Sequence, residues 1–326
     1  MMRPELDSAA DVLVIGGGPA GLSAATWLGR YQRSTVVVDA GEHRNRFSEA
    51  AHGLLGSDPI SPHTLLAEAR AGLAQYPHVR LVSGTVTGVE RTPDGTFRAE
   101  IDGEQITVQR IVLATGVRDR IPELVGITEH YALDVHHCPA CDGFTIRGQE
   151  IIVLGAGDGV PAFAAELLDW AVRVRIVTDS SHPAVDAVQR TALDEHGMEV
   201  VDGVAEALIG EPGALQGVRL ADGTLVPGSA VFFSYAHDPS SSIAAQLGCE
   251  LDHEGRVEVN GFQLSSVEGV YAAGDLTPGL QLVPIAIGKG TAAGVACATS
   301  LRGHSTAAPA PDPAPPTRRF ATGGNS

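Results

Sequence analysis

Aromatic residues are scarce in this chain, at 5% of the sequence, and cysteine is scarcer, with four in 326 residues. So few cysteines in so long a chain do not make a secreted disulfide framework, and the closely spaced Cys138 and Cys141 read instead as a reactive pair in a reducing compartment. Basic residues are outnumbered, 22 against 39 acidic ones, which leaves a formal net charge of −17. Nucleic acid and anionic membrane both attract positive charge, so neither is an expected partner. Long apolar runs are missing too. No stretch approaches the roughly 20 residues of a membrane span, and Val12-Leu13-Val14-Ile15 is too short for the apolar core of a secretory leader. These absences point to the cytoplasm.

Glycine, alanine and valine are abundant, as expected where parallel strands are covered by close-packed helices. The length accommodates two domains of ordinary size. Near the middle of the chain lies His137-Cys138-Pro139-Ala140-Cys141-Asp142-Gly143. Two cysteines two residues apart, followed by an acid, suit the making and breaking of a disulfide. The attacking species is a thiolate, and a neighbouring group can hold or deliver its proton. Glycine-rich turns stand on both sides, Gly16-Gly17-Gly18-Pro19-Ala20-Gly21 before and Gly155-Ala156-Gly157-Asp158-Gly159 after. The dithiol is therefore expected among bound dinucleotides.

Residues 11 to 39 read as one βαβ unit: a buried strand from Asp11 to Ile15, a helix from Leu22 to Arg30, and a second strand from Thr35 ending at Asp39. Gly16 permits the tight turn, Gly18 admits a pyrophosphate to the backbone N–H groups, Gly21 allows close helix–strand packing, and Asp39 is placed to accept from a ribose hydroxyl. A helix from Pro62 to Tyr76, a strand from Val79 to Val89, a strand from Phe97 to Ile101 and a strand from Arg110 into Ala114-Thr115-Gly116 follow. Small residues at 114–116 let the backbone pass close to a cofactor. Arg118 to Pro122 and Ser234 to Pro239 read as hinges. Between them a second βαβ unit comprises a strand at Ile151–Leu154, a helix at about 161–170 and a strand at Val174–Val177 with an acid at Asp179. Val160 stands where its third small residue belongs, so ligand binding there is open. The tail from Gly303 to Ser326, rich in proline, reads as linker-like.

The ordered series Gly16–Gly21, Ala114-Thr115-Gly116, Cys138–Gly143, Gly155–Gly159 and Ala272-Ala273-Gly274-Asp275 resembles the low-molecular-weight thioredoxin reductases, over about Asp11 to Leu301. The resemblance implies an α/β protein of two Rossmann-like three-layer domains. An FAD domain would comprise about 1–117 and 245–302, with an inserted pyridine-nucleotide-type domain at 118–244 carrying the CxxC. Cys141 would be the thiol nearer the flavin, Cys138 the one that attacks the substrate disulfide, and Asp142 the proton shuttle. Gly16, Gly18, Pro19, Ala20, Gly21, Asp39, Ala114, Thr115, Gly116, Gly274 and Asp275 would hold FAD, with Asp275 on the ribitol. The helix opening at Pro284 and Ile285 would aim its positive end at the flavin. A thioredoxin-like disulfide substrate and a homodimer are expected on the same ground.

Two departures concern the electron donor. NADPH-using members carry a His-Arg-Arg run where this chain has Thr178-Asp179-Ser180-Ser181-His182. A desolvated carboxylate at Asp179 would repel a 2′-phosphate by about several kcal/mol, which disfavours NADPH and leaves NADH admissible, since an acid there accepts from a free 2′-OH. Leu282-Val283-Pro284 also replaces an Arg-Gln-Ala run. Both departures resemble thioredoxin-reductase-like flavoproteins without a working NADPH site, some of which draw on ferredoxin. In that setting Phe320 of the tail could stack on the flavin.

Dithiol oxidases of the same superfamily share the pattern His52-Gly53-Leu54-Leu55-Gly56 and the CxxC, but usually have histidine where Asp142 stands. An FAD-binding redox sensor is the non-enzymatic alternative. His136 and His137 can stabilise a Cys138 thiolate or serve only as loop residues. No metal site is expected, because a second ligand pair farther along the chain is missing. Cys249 and Cys297 read as core fillers and Trp170 as helix packing. His43, Arg44 and Arg46 can reach FAD phosphates or remain solvated.

Overall fold

The computed structural model describes residues 8–155, 159–178 and 187–302. Two sheets organise the chain, the larger mixed and the smaller parallel, as the alternation of apolar strands and amphipathic helices requires. The larger has seven strands, ordered Val79–Ser83, Thr35–Asp39, Ala9–Ile15, Glu104–Leu113, Phe97–Ile101 and Val86–Arg91, with Val270–Ala272 beside the end of Glu104–Leu113. Register runs Val12 to Thr35 and Ile15 to Val38 on one side of the first strand, and Ile15 to Leu113 on the other.

Because side chains alternate across a strand, successive residues feed different cores. Val12, Val14, Val37 and Val112 pack under the helices Pro19–Arg30, Pro62–Leu73 and Val283–Ser300. Leu13, Ile15, Val36 and Val38 pack on the other face with Phe97, Ile243 and Val257. Each strand in the middle is therefore buried on both faces, which is why it reads as a continuous apolar run. The first and last of those helices touch closely: a Cβ at Gly290 would lie 2.1 Å from the Ala20 carbonyl oxygen. Glycines at that contact bring the two termini of the sequence into one layer.

The smaller sheet has five parallel strands, ordered Met198–Val201, Arg173–Val177, Glu150–Gly155, Ala230–Ser234 and Val135–His136. Its faces likewise divide, with Ile152 and Leu154 in one core and Ile151 and Val153 in another. A three-stranded antiparallel sheet, Ala205–Glu211, Ala214–Leu220 and Leu225–Pro227, accompanies it. The fold is thus a pair of Rossmann-like layered units. Both stretches read as hinges carry short strands, Val117–Asp119 and His237–Pro239, which pair antiparallel with His237 opposite Asp119. The two crossings between the sheets form a single ribbon.

Several boundaries differ from expectation. The first helix begins at Pro19, its proline occupying the first turn where no N–H partner is needed. The single strand expected from Val79 to Val89 is two: Val79–Ser83 adds in parallel to the sheet, whereas Val86–Arg91 turns back as a hairpin partner of Phe97–Ile101. Gly84 makes the break, since a Cβ there would meet the Asp102 carboxylate at 2.5 Å. The strand expected to begin at Arg110 starts at Glu104. The second unit's helix is Val160–Leu167, shorter than read. Gly157, Asp158, Asp179 and Phe320 lie outside the described residues.

Candidate functional site

The first glycine turn opens on a continuous cavity of about 490 Å³ that reaches to the CxxC. Sterics explain its floor. Gly16 adopts φ 107°, and a Cβ there would lie 2.3 Å from the Ala114 carbonyl oxygen, so strand and turn can meet only through glycine. A Cβ at Gly21 would lie 1.8 Å from the Gly16 carbonyl oxygen, which accounts for the third small residue of the fingerprint. Gly18 has open space around it and lines the cavity with Pro19 and Ala20. The N-terminus of the helix Pro19–Arg30 thus faces the cavity with unpaired N–H groups, a ready site for a pyrophosphate.

Asp39, Ala114, Thr115, Gly116, Gly274, Asp275 and Pro284 line the same cavity. Gly21 packs beneath it, and Ile285, 37% exposed, is not among its lining residues. Pro284 stands in the first turn of Val283–Ser300, so that helix does present its N-terminal end to the cavity. Thr115 donates to the Ser240 carbonyl oxygen at 2.6 Å, tying the floor to the segment that returns from the ribbon. Asp39 accepts from Arg70 at 2.7 Å and from the Gly41 N–H at 3.0 Å. A bare glycine cradle, two acids and two helix N-termini around one elongated cavity match the parts of FAD: pyrophosphate at 16–20, sugar hydroxyls at the acids. The residues fit that group.

Cys138 and Cys141 are joined as a disulfide, and with Ala140, Asp142 and His137 they complete the lining. Cys138 caps the short helix Pro139–Asp142, its sulfur accepting from the Cys141 N–H at 3.1 Å. Trp170 supports this turn from behind. A Cβ at Gly143 would lie 2.4 Å from the indole, so the tryptophan ring rests directly on the end of the CxxC helix. Trp170 packs on the core beneath its own helix, as read from sequence, and also braces the redox loop.

The histidines differ in place. His136 is buried in its strand, with Nδ1 3.6 Å from Asp142 Oδ1 and Nε2 without a partner among the described residues. Burial pushes its pKa down, against the pull of Asp142. His137 lines the cavity, with Nε2 3.7 Å from Asp119 and Nδ1 3.4 Å from the Tyr131 hydroxyl. Burial lowers its pKa as well, and Arg44 adds to the effect. Tyr131 is pushed up to about 12, chiefly by burial. His52 holds its Nδ1 3.0 Å from Asp58 while lining the cavity.

Of the three residues expected near phosphates, Arg44 is engaged otherwise. It donates to Asp119, Asp275 and Gln281, partners far off in sequence. Arg46 donates to the His43 carbonyl oxygen and lies over the Phe47 ring. His43 lines the cavity with both ring nitrogens buried and unpartnered among the described residues, and burial lowers its pKa. It offers the donor or acceptor that a nucleotide could use. Arg70, and the acid partners of Arg44, were missed because carboxylate partners are set here by the fold rather than by spacing.

At the second glycine turn the described residues are crowded. A Cβ at Gly155 would lie 2.8 Å from Val160 Cγ2, so Val160 fills the space that a third small residue would leave. At the end of Arg173–Val177, Thr178 donates to Asp202 at 3.4 Å, and Arg190 donates to both Asp202 oxygens at 2.6 and 2.7 Å. Cys249 and Cys297 are buried in the larger unit, Cys297 with its pKa pushed up to about 12 by burial, as expected of packing residues. Among the described residues no helix is long and apolar enough to cross a membrane.

Known proteins resemble this arrangement throughout its length. The family described as pyridine nucleotide-disulphide oxidoreductase matches residues 10–290. A thioredoxin reductase of Claviceps purpurea is 29% identical over 305 residues, with 89% of this chain and 94% of the relative covered. One from Mycolicibacterium smegmatis is 28% identical over 312 residues, with 89% and 94% covered. The crystal structure of HlmI aligns with a TM-score of 0.85 and 32% identity, covering 92% of this chain and 95% of its own.

Proposed function

The chain belongs to the pyridine nucleotide-disulphide oxidoreductase family, as a thioredoxin reductase-like flavin disulfide oxidoreductase, and from that premise we propose that it delivers two electrons through Cys138–Cys141 to the disulfide of a thioredoxin-like protein. One observation carries this reading: the disulfide and Asp142 line the same cavity as the glycine cradle, Asp39 and Asp275. FAD bound there supplies two-electron chemistry between a donor and the dithiol. Gly16, Gly18, Pro19 and Ala20 bind its pyrophosphate, Asp39 and Asp275 its sugar hydroxyls, and the start of Val283–Ser300 its ring edge.

Once reduced, Cys138 acts as the thiolate that attacks the substrate disulfide, forming a mixed disulfide and expelling one substrate thiolate. Cys141 then attacks the Cys138 sulfur, which releases the second substrate thiol and re-forms Cys138–Cys141. Asp142, in the turn after Cys141, delivers and recovers the proton. His136 behind it is held neutral by burial, so it adds no fixed charge to the turn in which Asp142 moves its proton.

NADPH is a poor donor in this reading. Asp179 carries the wrong charge, and Arg190, which shares Asp202 with Thr178, already bonds both oxygens of that carboxylate. NADH or reduced ferredoxin takes its place. The reverse flow, oxidation of a small dithiol with return of electrons to oxygen, is favoured by one feature: His52, oriented by Asp58, faces the cavity as a base for a substrate thiol. Anaerobic titration of the purified protein with NADPH, NADH and reduced ferredoxin, followed by flavin bleaching, tests the donor. Bleaching by NADPH within seconds overturns the argument from Asp179, and bleaching by a dithiol alone moves the oxidase to the front.

A further inference from the structure

Arg44 is a single side chain that holds three distant parts of the molecule. It lies in the loop after Thr35–Asp39 and is 19% exposed. Its Nε donates to Asp119 Oδ2 at 2.8 Å and its Nη2 to Asp119 Oδ1 at 2.5 Å, a two-pronged pairing. Its Nη1 donates to Asp275 Oδ2 at 2.9 Å and to Gln281 Oε1 at 2.8 Å. Asp119 ends one strand of the ribbon that joins the two sheets, opposite His237. The same carboxylate lies 3.7 Å from His137, the residue that precedes Cys138. Gln281 in turn bonds His237 Nε2 at 2.8 Å, which makes that nitrogen the acceptor.

The charges agree with a fixed arrangement. Burial alone would raise the Asp119 carboxyl, but the hydrogen bonds and charge of Arg44 outweigh it and hold it below the usual range. His137 and His237 are both kept neutral by burial, with Arg44 adding to the effect. The cation that opposes the two carboxylates is therefore Arg44. Removing it would leave Asp119, 9% exposed at its side chain, as a buried charge without its main partner.

We propose that Arg44 is a positioning residue for electron exchange between flavin and dithiol: it clamps Asp119 of the ribbon, which faces His137 beside Cys138, to Asp275 in the cavity lining, and so fixes the distance between disulfide and cofactor. This rests on the function proposed above. Lysine cannot substitute, because a point charge reaches one carboxylate where the planar guanidinium reaches both and an amide besides.

The test uses the full-length flavoprotein under anaerobic conditions with dithiothreitol as electron source, following flavin bleaching by stopped flow and normalising to bound flavin. Dithiothreitol reduces Cys138–Cys141, becoming a cyclic disulfide, and the dithiol passes the electron pair to the flavin. Photoreduction in a separate cell reduces the flavin without the dithiol. Arg44→Lys and Asp119→Asn should each slow the dithiothreitol-driven bleaching by on the order of 10- to 100-fold, the scale of a misplacement near 1 Å, with photoreduction proceeding at the wild-type rate. The double variant should be no slower than the worse single one, as for residues acting as a unit. Asp119→Asn keeps the side-chain shape, so it remains informative should Arg44→Lys fold poorly. Wild-type bleaching rates in both variants, or slowing matched in photoreduction, overturn the proposal. A Cys141→Ser protein that still bleaches with dithiothreitol overturns instead the function on which it rests.

Discussion

The two glycine turns of this chain begin the same way and end differently. At the first, Gly16, Gly18 and Gly21 leave a strand, a turn and a helix in backbone contact, with open space only where the cavity lies. At the second, Val160 sits 5% exposed against Gly155, and the position meant to be empty is filled by a side chain. The close contact that glycine leaves open at the first turn is thus filled by a valine at the second. The first unit retains the full set; the second has the fold and carries, through the ribbon, the dithiol that the first unit's cavity receives.

The comparison breaks most severely at the dithiol, where the two regions meet. Cys141→Ser is expected to abolish disulfide turnover, by about 10³-fold or more, since the exchange has no resolving thiolate; flavin content should stay near wild type. Turnover assays with a protein disulfide substrate check this, and substantial residual activity would mean that the cavity contact is incidental.

Next comes the first turn. Gly16→Ala forces a Cβ into the Ala114 carbonyl at a φ that L side chains rarely adopt. Flavin affinity should fall by at least about tenfold, or ~1.4 kcal/mol, read as flavin lost on ultrafiltration. The matching change at the second turn, Gly155→Ala, should spare the flavin and cost instead about 1–3 kcal/mol of stability by overpacking against Val160. Adding Val160→Ala should restore part of it in urea unfolding. If Gly155→Ala also released flavin, the division between a binding turn and a packing turn would be wrong.

The smallest effect concerns pH. His136, His137 and His237 all have pKa values below the ordinary 6.5, through burial first. The unfolded chain therefore binds more protons than the folded one as pH falls below about 6.5, and stability must decline there. Asp119, held low in the folded state, extends the loss below pH 4 by the same sign. Each kcal/mol lost lowers Tm by about 2–4 °C in a domain of this size. Thermal melts at pH 7.5 and 5.5 should show this slope, and His137→Gln should flatten it. A flat profile in the parent would show these imidazoles to be more solvated than their packing implies.

Local chemistry explains what was legible before folding. Glycine spacing, the acid closing each second strand, the adjacent cysteines and the apolar strands are all short-range patterns whose meaning is steric or covalent. The break at Gly84 was not legible, because alternating apolar residues run through it and its reason, Asp102, belongs to another turn. Trp170 does pack with its own helix, but nothing in its neighbourhood names Gly143 as a second partner. Ile285 was grouped with Pro284 by sequence adjacency; a helix rotates consecutive side chains by about 100°, and Ile285 is not among the residues that line the cavity.

By itself the sequence determined the class of fold, the glycine cradle, the reactive pair and the surplus of acid, since each depends on residues within about twenty positions of one another. Only the tertiary structure decided that one cavity joins the cradle to the disulfide, that both crossings pair into one ribbon, and that Arg44 pairs with Asp119 and Asp275. Those partners stand 75 and 231 residues away. A side chain's charge is written in the chain, but the group that neutralises it is chosen by burial, where an unpaired charge costs more than any local preference can offset.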